Sequence, residues 1–199
     1  MTIKRVAMAG LVKSVEQYGS LFVSRRRGVQ CLLRLREELA QATAGEPFLL
    51  ALPPSHILDV AFADACLLPL AREIVAGETG AGCFLLQGLN ADAIDTLNAA
   101  MAWRSFSPAL LAVGSYGDSQ LLGHLEKHLV ETLDVVTRLG RMTATDLAKH
   151  SSKREGKKLS LQAANNRLSR LHEMRLVRRE QVEETKRRAY VYYAWQWAV

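Results

Sequence analysis

Between Ser160 and Arg188 the sequence leaves little choice of fold. Leu161, Ala164, Leu168 and Leu171 recur at three- and four-residue spacing and so share one face of a helix. Ser160 stands immediately before them as an N-cap, its hydroxyl able to accept from an amide of the first turn. The opposite face carries Gln162, Ala163, Asn166 and Arg170, with no carboxylate before Glu173. Amide and guanidinium groups can make paired hydrogen bonds to base edges in a major groove, whereas a carboxylate there would meet phosphate repulsion. The chain turns at Met174-Arg175, runs extended from Leu176 to Gln181, and reaches a charged tip at Glu183 to Arg188. It returns in a second extended run from Ala189 to Trp195. Lys186, Arg187 and Arg188 crown this hairpin.

The preceding residues supply the partners such a helix and hairpin need. Leu121, Leu122, Leu125, Leu129, Leu133, Val136 and Leu139 form one broad stripe, which predicts a long amphipathic helix from Leu121 to Leu139. Gly140 ends it as a C′ glycine does. Arg141 to Thr143 suits a short strand, Thr143 or Thr145 caps a brief helix from Ala144 to His150, and Ser151 to Lys158 reads as a basic loop. The phrase Ala164-Asn165-Asn166-Arg167-Leu168-Ser169-Arg170-Leu171, followed by Met174-Arg175-Leu176-Val177-Arg178-Arg179, resembles the recognition helix and following turn of winged helix-turn-helix domains of the bacterial MarR and ArsR type. The resemblance covers residues 120–197, and Arg175 stands where the family usually has Gly. It implies double-stranded DNA as partner. Gln162, Ala163, Asn166 and Arg170 would then face the major groove, and Lys157, Lys158, Lys186, Arg187 and Arg188 the phosphates or the minor groove. Arg167, nearer the buried edge, is placed to pair with a carboxylate.

Charge points the same way. From residue 118 onward there are 16 Lys and Arg against 10 Asp and Glu, whereas residues 1–117 hold 10 of each. The whole net charge of +6 therefore belongs to the segment that would meet a polyanion. Its cations cluster in the loop, helix and wing rather than being spread over a solvated surface. This sets a division into residues 1–117 and 118–199.

The N-terminal part alternates between extended and helical patterns. Ile3 to Ala9, Ser20 to Ser24, Phe48 to Leu52, Cys83 to Gln87 and Ala109 to Val113 suit strands. Arg25 to Ala42, Phe62 to Ala76 (kinked at Pro69) and Asp92 to Trp103 suit helices. Strands apolar throughout and separated by helices predict a sheet covered by helices, giving an α/β domain followed by an α+β one. Gly19-Ser20-Leu21-Phe22-Val23-Ser24-Arg25 and Ile57-Leu58-Asp59-Val60-Ala61-Phe62-Ala63-Asp64 make residues 3–115 resemble STAS-like α/β domains, relatives of the anti-sigma-factor antagonists. Those antagonists carry a phosphorylated serine at the strand-to-helix junction. Here the position is Ala61, with Ser55 some residues earlier, which argues against a phosphoswitch.

No catalytic constellation emerges. Asp59 and Asp64 suit a helix start, where acids complement the dipole. Gly77 to Gly82 has no lysine or nucleotide fingerprint, and His56 has no nucleophile in a known pattern. His124 and His128, spaced by four with Glu131 beyond, could offer a metal-binding face. Exposed histidines at this spacing are common and no HExxH exists, so neither metal nor cofactor is expected. Cys31, Cys66 and Cys83 form no CxxC and read as small buried hydrophobes in a reducing compartment. No run approaches the ~18 apolar residues of a membrane span, and Met1 to Arg5 lacks the pattern of a signal peptide, so a cytoplasmic protein without membrane contact is expected.

Two functions follow. The chain is either a DNA-binding transcriptional regulator, its N-terminal domain sensing a small ligand, binding a partner protein or dimerising, or a protein-interaction module of sigma-factor or stress signalling. The broad apolar stripe of Leu121 to Leu139 favours a homodimer, with two reading helices about 34–36 Å apart on DNA.

Overall fold

The computed structural model describes residues 3–11, 21–114, 118–155, 159–184 and 187–195. The described residues divide into two compact units, one ending at His124 and the other beginning at Leu125. Both mix helix and strand.

The first unit is built on a five-stranded sheet in the order β1 (Lys4–Ala7), β3 (Pro47–Ala51), β5 (Cys83–Gln87), β6 (Leu110–Val113) and β7 (Ser119–Leu122). The first four are parallel, and β7 runs antiparallel to β6, with Leu110 opposite Leu122. The central strands are apolar nearly throughout because every residue of β6, and all of β3 but Ala51, is buried. A second, two-stranded parallel sheet pairs β2 (Leu21–Phe22) with β4 (Ile57–Leu58). One apolar core joins Phe48, Leu50, Phe84 and Leu86 of the sheet to the inner faces of α2 (Arg25–Ala40), α4 (Leu68–Ala76) and α5 (Ala91–Trp103).

Several sequence expectations change here. β1 stops at Ala7 and the chain enters a short helix, α1 (Met8–Leu11), where one strand to Ala9 was expected. The helix expected from Phe62 starts earlier, at α3 (Val60–Phe62), because Asp59 caps it by accepting from the Phe62 amide at 2.6 Å. Its irregularity is a π turn over Ala63–Leu67, which precedes Pro69 and leads into α4. Gly19 and Ser20 of the first STAS-like phrase lie outside the described residues.

The largest correction concerns Leu121 to Leu139. It is not one helix: Leu121 and Leu122 end β7, and α6 starts only at Lys127 and runs to Leu139. Gly123 takes a φ of 79°, and its amide donates to the Asn98 side chain at 2.9 Å, which fixes the break. The domain boundary therefore falls after His124 rather than after residue 117, since β7 belongs to the first sheet.

The second unit follows the order α6, β8 (Arg141–Thr143), α7 (Ala144–Glu155), α8 (Leu161–Glu173), β9 (Val177–Glu184) and β10 (Arg187–Ala194). Its sheet has the order β8-β10-β9, antiparallel throughout. Gly140 closes α6 with a φ of 76°, its amide donating to Val136 O at 2.8 Å. Thr143 caps α7 reciprocally: the Asp146 amide donates to its hydroxyl oxygen at 3.2 Å, and its own amide and hydroxyl donate to the Asp146 carboxylate at 3.1 and 2.7 Å. These bonds, the hydroxyl's first, hold the Asp146 carboxyl below its ordinary range. With that cap, α7 extends to Glu155, beyond the expected end at His150. The core of the unit gathers Leu129, Leu133, Val136, Met142, Leu147, Ala164, Leu168, Leu171, Leu176 and Tyr192.

Candidate nucleic-acid interface

The exposed face of α8 is defined by what its other face must bury. Ala164, Leu168 and Leu171 are fully enclosed, and the Ser160 hydroxyl accepts from the Ala163 amide at 3.1 Å. Gln162, Asn166 and Arg170 are exposed on the side away from that core, while Ala163 is half-buried. Leu161, expected on the core stripe, is instead 57% exposed. It occupies the first helical position, beyond the reach of the elements that cover Ala164. Arg170 donates to Glu173 at 3.1 Å, an exposed pair one turn apart of the kind that contributes little and opens readily. Arg167 is half-buried and lines a cleft with Glu131, Asp134 and His150.

Of the remaining sequence candidates, Lys157, Lys158 and Lys186 lie outside the described residues. Arg187 and Arg188 begin β10, in register with Glu184 and Glu183 of β9. Sequence reasoning missed the aromatic support of the hairpin's cations. Arg178 sits 5.0 Å from the Tyr193 ring centre and Arg179 4.5 Å from that of Tyr190, with Arg178 also 2.9 Å from Glu180. The available signal was a pair of arginines, Arg178 and Arg179, on one strand of the hairpin and tyrosines on the other.

The turn after α8 keeps the geometry of a glycine turn without the glycine. Leu176 N–H donates to Leu171 O and Arg175 N–H to His172 O, both at 2.9 Å, the paired bonds of a Schellman motif. Arg175 accordingly adopts a φ of 60°, and its carbonyl accepts from Trp195 Nε1 at 2.9 Å. An L-residue in this conformation costs on the order of 1 kcal/mol. Arg175→Gly is therefore expected to raise stability by about that amount, read as a higher urea midpoint with an unchanged slope.

His172, within the same turn, has Nδ1 3.2 Å from Val177 O. Burial pushes its imidazole below the ordinary 6.5, and the nearby Arg179 and Arg175 add to the shift. A lowered folded value means that the unfolded chain binds more protons between the two values. This group's contribution is thus present above 6.5 and lost as pH falls through the folded value. Urea midpoints of the parent should fall between about pH 7.5 and about pH 5.5 by more than those of His172→Gln.

The first unit holds a second polar cluster. Asp64, on the π turn, is buried and carries ion pairs to Arg25 at the start of α2 and to Arg104 just past α5, with Arg104 Nη2 donating to Oδ2 at 2.6 Å. These arginines, rather than a helix dipole, explain the acid at this position. Asp59 does serve a helix start, and its other oxygen accepts from the Ser24 amide at 2.9 Å, holding Ser24 at φ 76°. His124 and His128 do not share a helix face, because His124 precedes α6, and the His128 ring lies 3.4 Å from Glu126. Among the described residues no group of three His, Cys, Asp or Glu is placed to hold a metal. No helix among them is long and apolar enough to cross a membrane.

Compared with protein-family models, with curated proteins and with solved structures, the chain shows no match.

Proposed function

We propose that residues 125–196 are a winged helix that binds double-stranded DNA, with α8 in the major groove and the β9–β10 hairpin as the wing. The observation that carries this reading is the order helix, strand, helix, helix and two-stranded hairpin, which leaves Gln162, Asn166 and Arg170 together on the open face of α8. The positive charge of this half of the chain supports it. Asn166 suits adenine and Arg170 guanine, while Lys157, Lys158, Lys186, Arg187 and Arg188 supply phosphate contacts. The protein then acts as a transcriptional regulator.

The first unit is the sensing, partner-binding or dimerising part, and its parallel strands with interleaved helices are what favours a STAS-like description. The long stripe that favoured a homodimer is broken at Gly123. Exposed Val29 and Leu33, one turn apart on α2, now support dimer formation in its place. Exposed Leu161 at the start of α8 favours the alternative, in which that face docks a protein. A duplex of mixed sequence separates the two. A winged helix on DNA binds it with an affinity that falls steeply as salt rises, the logarithmic slope giving the phosphates engaged. Absence of binding at low salt contradicts the DNA reading.

A further inference from the structure

Helices α6, α7 and α8 border a cleft of about 420 Å³, a volume within the range of small-molecule sites. Its floor is apolar: Val135 of α6 is 8% exposed and Leu147 of α7 is 2% exposed. Thr132 lies there too, but its hydroxyl already donates to His128 O at 2.7 Å. The rim is ionisable and divided by sign. Glu131 and Asp134, one turn apart on α6, make an acidic wall, whereas α7 contributes His150 and α8 the half-buried Arg167. None of these four side chains has an ion-pair or hydrogen-bond partner among the described residues, although both signs meet at one rim. A guanidinium keeps its charge throughout the physiological range and, partly removed from water, favours an anionic partner. The two carboxylates favour a cation in the same way. One molecule that carries both charges satisfies both walls.

We propose that this cleft binds a small amphoteric molecule, with its ammonium on Glu131 and Asp134, its carboxylate on Arg167 and an apolar stem over Val135 and Leu147. The stem has to separate the charges, because helices packed side by side keep their axes about 8–10 Å apart. That describes an ω-amino acid, whose charges stand at the two ends of a chain, rather than an α-amino acid, whose charges are adjacent. His150 offers the carboxylate a second hydrogen bond. Such an occupant ties α6 to α8, the helix that carries Asn166 and Arg170. The second unit then holds a small-molecule site of its own, apart from the sensing role proposed for the first unit. The site rests on the cleft and its charges, and is independent of whether α8 reads DNA.

The test titrates the full chain with ε-aminocaproate, and separately with caproate and hexylamine, which keep the stem and one charge each. Binding is followed at the backbone amides by NMR. The expected result is saturable shifts at the cleft, on the order of millimolar for a ligand this small. Either single-charge probe should bind at least about tenfold more weakly. Arg167→Gln should bind ε-aminocaproate and hexylamine alike, and the double variant Glu131→Gln, Asp134→Asn should bind ε-aminocaproate and caproate alike. In the parent, hexylamine binding as tightly as ε-aminocaproate would mark a cation site only, and caproate doing so an anion site only. Either result, the absence of saturation, or shifts confined to other surfaces would overturn the proposal. The comparison of the three probes on the parent decides it even where a variant folds poorly.

Discussion

Replacing Asp64 with alanine is expected to lower the stability of the first unit by about 2–4 kcal/mol. The carboxylate is the buried centre of two ion pairs, with its side chain 6% exposed, and it ties the start of α2 and the end of α5 to the π turn between them. Its removal leaves two guanidiniums without a counter-charge. Both are half-exposed and can rehydrate, which keeps the loss toward the lower part of the range for breaking a buried pair. Asp64→Asn should cost less, since an acceptor oxygen remains. Arg104, whose contact is the strongest influence, and Arg25 hold the carboxyl below its ordinary 3.8. With the folded value depressed, the contribution is fully present above 3.8 and lost as pH falls through the folded value. Urea unfolding followed at Trp103, which neighbours Arg104 at 4.6 Å, should show a large parent-to-variant difference at neutral pH that shrinks in acid. A difference that persists undiminished below the folded value would mean that packing rather than charge makes Asp64 valuable.

Substitutions on α8 and the wing should separate specificity from affinity. Arg170→Ala removes the guanidinium that can leave Glu173 for a guanine edge, a change worth on the order of 1–3 kcal/mol at one base position. If the wing meets phosphate as proposed, Lys186→Ala should weaken all sequences alike and reduce the salt slope by about one. Because the Arg170–Glu173 pair is exposed, Arg170→Ala should leave folding nearly untouched, and any loss of binding belongs to the interface. Titrations of both variants against several duplexes at several salt concentrations check this. If both bind as the parent does, the exposed face of α8 is not the reading surface, and protein docking becomes the better account.

What could be read in the sequence follows from how local each determinant is. The second unit was legible from α7 onward because caps, turn residues and burial periodicity agree: Ser160 caps α8, Leu168 and Leu171 face inward, and Val177 to Ala194 pairs as a hairpin. The turn at Arg175 was legible in position but not in conformation, since the φ of 60° is imposed by Leu171, His172 and Trp195. Leu121 to Leu139 misled because leucines at three- and four-residue spacing suit a helix. The edge strand is selected by pairing with β6, the strand just before it, and by Asn98, further back in the sequence, neither of which lies within the leucine stripe. Distance in sequence also concealed the partners of Asp64. In the candidate interface, residue types fixed the face of α8, but neither the Glu173 tether of Arg170 nor the exposure of Leu161 could be read without the elements around them.

The central claim, that this chain reads DNA through α8, is tested most directly by selecting binding sites for the full-length protein from a random duplex pool. The account predicts enrichment of a defined motif, with adenine and guanine positions whose preference flattens in Asn166→Ala and Arg170→Ala respectively. For a dimer the motif should be repeated about 10–10.5 base pairs apart. A pool that remains random after repeated rounds, with the protein folded and retained on a low-salt duplex column, would contradict it.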